Sequence, residues 1–263
     1  MRNRDLIKHR WHSTLLEAYH EAKPIDSLTS NIGKLSTKEA YDVQAMLLEN
    51  KIQNREGIIG WKVGATSQAV MTQLKIDEPI LGHITSSSYY SSLREIKASN
   101  FCKLAVEGEI AFIMGKSLRG PGITNSDVII STAGIMGAVE LVDCRLKHWN
   151  VDASEAIADN SLHAGVILGP FIKPIAGFDL RYEGVIMSKD GRLLASACGV
   201  EALGDPVNVV TWLGNKLPEL GREIQAGQII LTGSLTRFFF VGPGDVINVS
   251  FSNLGNIHFN IGK

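Results

Sequence analysis

Apolar residues recur at every fourth position in Ile7, Trp11, Leu15 and Tyr19, which predicts one face of a helix. A second helix has a defined start. Ser36 followed by Glu39 fits a capping box, in which each side chain satisfies the other residue's backbone donor. Ala40, Val43, Met46 and Leu47 share its inner face, Asn50 interrupts that stripe, and the helix should fray between Lys51 and Gly57. From Ile58 onward the pattern changes. Apolar runs become short, β-branched and bounded by Gly, as in Ile58–Val63, Glu109–Met114, Ala138–Val142, Gly165–Leu168, Gly184–Met187, Gln228–Leu231 and Asp245–Phe251, and these predict strands. Short helices are expected after Ser67 through Met71 and Leu74, over Ser126 to Ala133, after Asp152 with Glu155, and from Asp205-Pro206 through Trp212 and Leu217. No repeat, low-complexity tract or linker interrupts the chain. The expectation is an α+β fold in one domain over residues 1–263, with a helical lead-in (1–57) and a β-rich body (58–263).

Composition narrows the class. The 263 residues can bury a sizeable core. Lys plus Arg total 26 against 27 for Asp plus Glu, a balance that gives no electrostatic footprint for nucleic acid or an anionic membrane. Cys102, Cys144 and Cys198 are too scattered for a disulfide framework and form no C-x-x-C pair. Met1 to Lys23 carries charges throughout, without the apolar core of a signal peptide, and no run is long enough for a spanning helix. A cytoplasmic protein is expected.

Familiar catalytic signatures are absent: no G-x-G-x-x-G after a strand, no P-loop, no G-x-S-x-G, and no His pair with zinc-ligand spacing. The informative stretch is Val106-Glu107-Gly108-Glu109-Ile110-Ala111-Phe112. On a strand, Glu107 and Glu109 project to one face. Two carboxylates that close repel, so one stays protonated unless a cation offsets them. Mg²⁺ or Mn²⁺, which prefer oxygen ligands, would do so; a strand edge with two solvated acids is the plainer alternative. Glu140 lies within the apolar run Gly137–Val142, where an unpaired carboxylate is costly. A third metal ligand, or a buried ion pair with Arg145 or a lysine, would each account for it. Lys62, within Gly60-Trp61-Lys62-Val63-Gly64, either snorkels to the surface or is desolvated beside a metal with a lowered pKa, which suits proton transfer. Glycines in Leu231-Thr232-Gly233-Ser234 and Val241-Gly242-Pro243-Gly244-Asp245 mark β-turns or places where amides approach an anionic group.

Taken in order, these segments resemble the fumarylacetoacetate hydrolase superfamily, within it the 2-keto-4-pentenoate hydratase and 4-oxalocrotonate decarboxylase group. The resemblance runs from about Tyr41 to the end of the chain. It rests on G-W-K-V-G-A-T-S (Gly60–Ser67), D-E-P-I-L-G (Asp77–Gly82), E-G-E-I-A-F (Glu107–Phe112) and G-P-G-I-T-N-S-D-V (Gly120–Val128). V-E-L-V-D-C-R (Val139–Arg145), A-D-N (Ala158–Asn160), D-P-V-N (Asp205–Asn208), L-T-G-S-L (Leu231–Leu235) and P-G-D (Pro243–Asp245) continue it. The chain departs from the pattern at Ser161-Leu162, where a serine is usual one position later, at Gly137, where proline is usual, and at the bulky run Arg237-Phe238-Phe239-Phe240.

The resemblance implies a mixed β-rich roll, a homo-oligomer, and a divalent metal, Mg²⁺ or Mn²⁺, held by Glu107, Glu109 and Glu140. It implies catalytic roles for Lys62 and, less directly, Asp77, which a turn would also explain. Substrate contacts are expected from Ser161, Gly233 and Ser234. The activity implied is hydration of a 2-hydroxy-2,4-dienoate to a 4-hydroxy-2-oxoacid in aromatic meta-cleavage catabolism. The rivals are a 4-oxalocrotonate-type decarboxylase, an acylpyruvate C–C hydrolase, and a non-catalytic subunit that stabilises a pathway decarboxylase or hydratase; a pathway decarboxylase or aldolase is a further expected partner. In an alternating strand Phe238 and Phe240 share one face and Arg237 and Phe239 the other. One face is expected to pack in the core or an oligomer interface; if Phe238 or Phe240 instead lines the site, the substrate's tail is uncharged unless Arg237 pairs with a second carboxylate.

Overall fold

The helix Arg2–Glu21 buries Trp11 and Leu15 completely, as its four-residue stripe requires. The computed structural model describes residues 2–91 and 95–263. In the helix Thr37–Gln53 the Ser36–Glu39 capping box forms in both directions, and Ala40, Val43 and Leu47 are buried. Met46 is only half-buried; Tyr41, Gln44 and Leu48 widen the inner stripe instead. Gln44 Nε2 donates to the carbonyls of Leu81 and Ile157, tying this helix to a strand and to the helix Ala153–Ala158. The expected helix over Ser126–Ala133 is shorter. Thr124 and Asp127 form its capping box, it spans Asn125–Ser131, and the β-branched Thr132 turns extended to begin a strand.

Two sheets form the body. In spatial order the larger comprises Ile80–Thr85, Ile58–Gly64, Ile229–Leu231, Ala105–Met114, Thr132–Val142, His163–Leu168 and Tyr89–Tyr90, with Phe239–Phe240 also paired to Ala105–Met114. Ile96–Lys97, Gly255–Gly262, Val246–Phe251, Gly184–Lys189 and Arg192–Cys198 make the second. All seven expected strands are present, with bounds shifted by a few residues. Several further ones appear, among them Ile80–Thr85, Arg192–Cys198 and Gly255–Gly262.

The packing decides where a site can lie. Val106 and Ile110, the alternates of Glu107 and Glu109, are buried in one cluster with Val185, Met187 and Val249 of the second sheet. Phe251 of that sheet sits where a side chain on Gly137 would have to go, which accounts for the glycine. One face of the central strands is therefore core, and the opposite face carries the acids. No helix among the described residues is long and apolar enough to cross a membrane.

Candidate metal and catalytic site

The strands Ala105–Met114 and Thr132–Val142 pair antiparallel without a shift from Ala105 to Ile113, and this register sets Glu107 directly opposite Glu140. Residues so opposed share a face, and Glu109 joins them by alternation. One carboxylate oxygen from each of the three lies within 4.8 Å of the others. Glu109 and Glu140 are fully buried, while Glu107 is partly exposed at the mouth.

Each buried acid is aimed by a partner. The Gly233 amide donates to Glu109 Oε2 at 2.9 Å. Gly233 has φ +88°, and a side chain there would collide with Thr66 Oγ1. His163 Nδ1 lies 2.7 Å from Glu140 Oε1. Of the other oxygens, Glu109 Oε1 is buried with no hydrogen-bond partner, and the buried Glu140 Oε2 has only the Lys62 ammonium, 3.3 Å away. Orphaned carboxylate oxygens are costly in the interior, and a hard cation is the ligand that oxygen donors of this kind accept. The three acids fit Mg²⁺ or Mn²⁺.

Lys62 comes to the same point from three strands away. In a flat sheet that separation would be about 14 Å, but here the sheet curls and Lys62 Nζ stands 3.3 Å from Glu140 Oε2. Nζ also donates to the Ser161 carbonyl at 3.0 Å. The ion pair foreseen for Glu140 is thus with Lys62; Arg145 instead bonds Asp159 at 2.6 Å.

The Ala158-Asp159-Asn160 segment builds the turn that presents Ser161. Asp159 anchors Arg145, and Asn160 clamps His83 through both its amide and carbonyl. Asn160, Ser161 and Leu162 then all take positive φ (52°, 53°, 62°), three strained residues in succession. Ser161 Oγ ends buried and without a partner. It lies close to Lys62 Nζ across Gly64, whose absent side chain would stand 2.8 Å from one and 3.1 Å from the other.

Electrostatics follow from the crowding. Burial, then Glu140, pushes Glu107 up to about 8, and the same causes push Glu109 well above the usual carboxylate range. Burial works on Glu140 too, but Lys62 and His163 outweigh it and hold its carboxyl below the usual value. For Lys62 two effects oppose one another. Burial lowers it, yet Glu140, Glu109 and Glu107 together raise it. Burial lowers His163, which keeps the ring neutral.

The remaining expected residues divide: Gly233 belongs to the cluster through Glu109, while Asp77 and the Ser234 hydroxyl do not bond to it. Asp77 is exposed in the bend before Ile80–Thr85 and joins none of the cluster's hydrogen bonds or ion pairs among the described residues. The Gly233 amide is engaged by Glu109. Ser234 Oγ turns to the Thr236 carbonyl. His163 escaped the sequence reading because the seven histidines are dispersed and no pair has zinc spacing; its signal was its position at the start of an apolar strand, two residues after Ser161.

Residues 61–261 match the family model described as fumarylacetoacetate (FAA) hydrolase C-terminal. The chain is 32% identical over 243 residues to a 2-hydroxyhexa-2,4-dienoate hydratase of Comamonas testosteroni, covering 92% of each. It is 35% identical over 208 residues to a 2-hydroxypent-2,4-dienoate hydratase of Pseudomonas putida, covering 79% of this chain and 94% of the other. Its fold is similar to that of a 4-oxalocrotonate decarboxylase from Pseudomonas putida G7 complexed with magnesium and adipate, with a TM-score of 0.94, 29% identity and 98% of each chain covered.

Proposed function

The chain belongs to the fumarylacetoacetate hydrolase family, and from that premise we propose that it is a divalent-metal-dependent hydratase that adds water to a 2-hydroxy-2,4-dienoate. The observation that carries this reading is the convergence of Glu107, Glu109 and Glu140, with an orphaned oxygen on Glu109, beside a buried lysine. The two hydratase relatives support the substrate class.

Glu107, Glu109 and Glu140 would hold the cation, Mg²⁺ or Mn²⁺. Once bound, it would supply Lewis-acid polarisation of the substrate's carboxylate and 2-oxygen, favouring the keto tautomer. The Gly233 amide and His163 orient two of the acids. Lys62 holds a proton at Nζ against Glu140 and the Ser161 carbonyl and delivers it to the terminal diene carbon, while the 2-hydroxyl proton leaves to solvent, so the product is a neutral α,β-unsaturated ketone. Water then adds at the distal alkene carbon, yielding a 4-hydroxy-2-oxoacid. Ser161 Oγ, a buried donor with no partner, serves a substrate oxygen. The helical lead-in and the β-rich body work as one catalytic unit, in the cytoplasm. A homo-oligomer is part of the reading, supported by exposed Ile186, Leu193 and Val246 on one face of the second sheet; sedimentation equilibrium tests it.

The fold match to the decarboxylase favours a second reading. The same acids and Lys62 would then serve loss of CO₂ from a vinylogous keto acid. The deciding experiment follows loss of dienoate ultraviolet absorbance by purified protein with Mg²⁺ or Mn²⁺, together with CO₂ analysis. Hydration without CO₂ is expected, and Glu107→Gln, Glu109→Gln and Glu140→Gln should each weaken metal binding and turnover in a folded protein. Full activity in a metal-free preparation, or release of CO₂ in step with turnover, would overturn the hydratase reading.

A further inference from the structure

The face that carries the acids continues past Glu107 into an aromatic surface. Phe240 pairs antiparallel with Ala105, so its ring lies on the face shared by Ala105, Glu107 and Glu109. Phe238 joins it, with ring centroids 5.4 Å apart. Trp149, on the loop that follows the strand of Glu140, completes the cluster at 4.8 Å from Phe238 and 4.9 Å from Phe240.

The backbone brings these rings beside the acids. The Leu235 amide donates to the Gly108 carbonyl, while Phe239 sits opposite Val106. Thr236, Arg237 and Phe238 therefore span the width of one residue, Glu107. Bulges of this kind re-aim side chains at sites. Phe238 and Phe240 stay 40% exposed, and the Trp149 indole N–H is buried with no hydrogen-bond partner. Apolar area held open beside a polar cluster, with a donor left unpaired, is the form of a ligand surface and not of a closed core.

We infer that Trp149, Phe238 and Phe240 form the shelf that receives the substrate's tail and select an uncharged hydrocarbon tail over a carboxylated one. This rests on the 2-hydroxydienoate reading above. A carboxylate laid on three rings would lose its water without a paired cation. Arg237 cannot supply one, because it stacks on Phe239 at 5.0 Å, on the other face. Lys103 lies at the exposed rim, its ammonium 3.9 Å from the centre of the Phe240 ring, and an ion pair with so exposed a side chain gains little against the cost of desolvating a carboxylate on the rings.

The test separates the shelf from the reaction. Binding of unreactive 2-oxo acids to Mg²⁺-loaded protein is measured by calorimetry, from 2-oxobutanoate through 2-oxopentanoate to 2-oxohexanoate, with 2-oxoglutarate as the carboxylated counterpart. Affinity should rise about fourfold per added methylene, the equivalent of about 0.8 kcal/mol for each CH₂ buried, and 2-oxoglutarate should bind at least tenfold more weakly than 2-oxohexanoate. Phe240→Ala, with Phe240→Leu as a milder companion, should flatten the series and leave 2-oxobutanoate unchanged. A flat series in the wild type overturns the shelf, as does 2-oxoglutarate binding tightest and losing that advantage in Lys103→Ala. In parallel, kcat/KM for 2-hydroxyhexa-2,4-dienoate should exceed that for 2-hydroxypenta-2,4-dienoate, with Phe240→Ala lowering the former by the larger factor. If both fall equally while hydration persists, the shelf fails and the hydratase reading stands. If the 2-oxo acids show the slope but no dienoate is hydrated, the shelf stands and the hydratase reading fails.

Discussion

His163 Nδ1 holds Glu140 Oε1 at 2.7 Å and thereby turns Glu140 Oε2 toward Lys62, 3.3 Å away. One neutral imidazole thus sets the direction of a carboxylate that the cation and the lysine would share. Partners of this type commonly govern metal affinity by 10–100-fold. His163→Ala should weaken Mn²⁺ binding by about that factor, read by calorimetry, with the circular dichroism spectrum unchanged. Unaltered affinity would show that Glu140 needs no such support.

Lys62 should matter to turnover and not to metal retention. Lys62→Met keeps the apolar stem and removes the proton carrier. Positioned acid–base groups contribute about 10²–10⁴-fold, so turnover should fall by at least about a hundredfold while Mg²⁺ affinity is kept or improved, since a cation's neighbour is gone. Lost metal binding with turnover restored by excess Mg²⁺ would contradict the assignment.

Metal binding should be coupled to proton release. Burial and Glu140 push Glu107 up to about 8, against an ordinary value of 4.5. Below that pH the metal-free protein keeps a proton that the cation must displace. Affinity for Mg²⁺ should therefore rise with pH up to about 8 and level off above it. Between 4.5 and about 8 the folded chain holds this proton after the unfolded chain has lost it. The group's contribution to metal-free stability thus declines as pH rises through that window. Calorimetry in two buffers of different ionisation heat measures the protons released at pH 7; none released would refute the coupling.

Gly233 is fixed by two requirements at once, a left-handed backbone and space taken by Thr66. Gly233→Ala should cost at least about 1 kcal/mol in urea unfolding. It should also loosen Mg²⁺ binding, because the displaced amide leaves Glu109 Oε2 without its donor. A stable variant with wild-type affinity would mean the turn relaxes without moving the acid.

Local signals were the legible ones. The Trp11–Leu15 stripe, the Ser36–Glu39 box and the same-face pair Glu107 and Glu109 depend only on neighbours in sequence, and each reads directly from the chain. Gly255–Gly262 is also legible: Ile257, Phe259 and Ile261 are buried and alternate with exposed Asn256, His258 and Asn260, a period of two that a search for unbroken apolar runs passes over. What local pattern does not carry is strand order. The partner of Glu140 depends on a curled sheet bringing Lys62 across three strands. The Asn160–Leu162 turn uses left-handed backbone without a single glycine; only Asn160 is of a type that favours it, and nothing marks Ser161 and Leu162. The direction of the Lys62 shift follows from three acids acting together, which no one segment reveals.

The bond from the Gly233 amide to Glu109 joins residues 124 positions apart. A fragment that stops before Gly233, or a chain cleaved between the two that comes apart, has Glu109 without its donor and lacks the strand Ile229–Leu231 that pairs alongside it. On the proposed site, ion capture would mark an intact chain. Incomplete synthesis products and proteolytic debris would draw little Mg²⁺ or Mn²⁺ from the cell, and saturation with metal becomes a measure of how much of a preparation is intact.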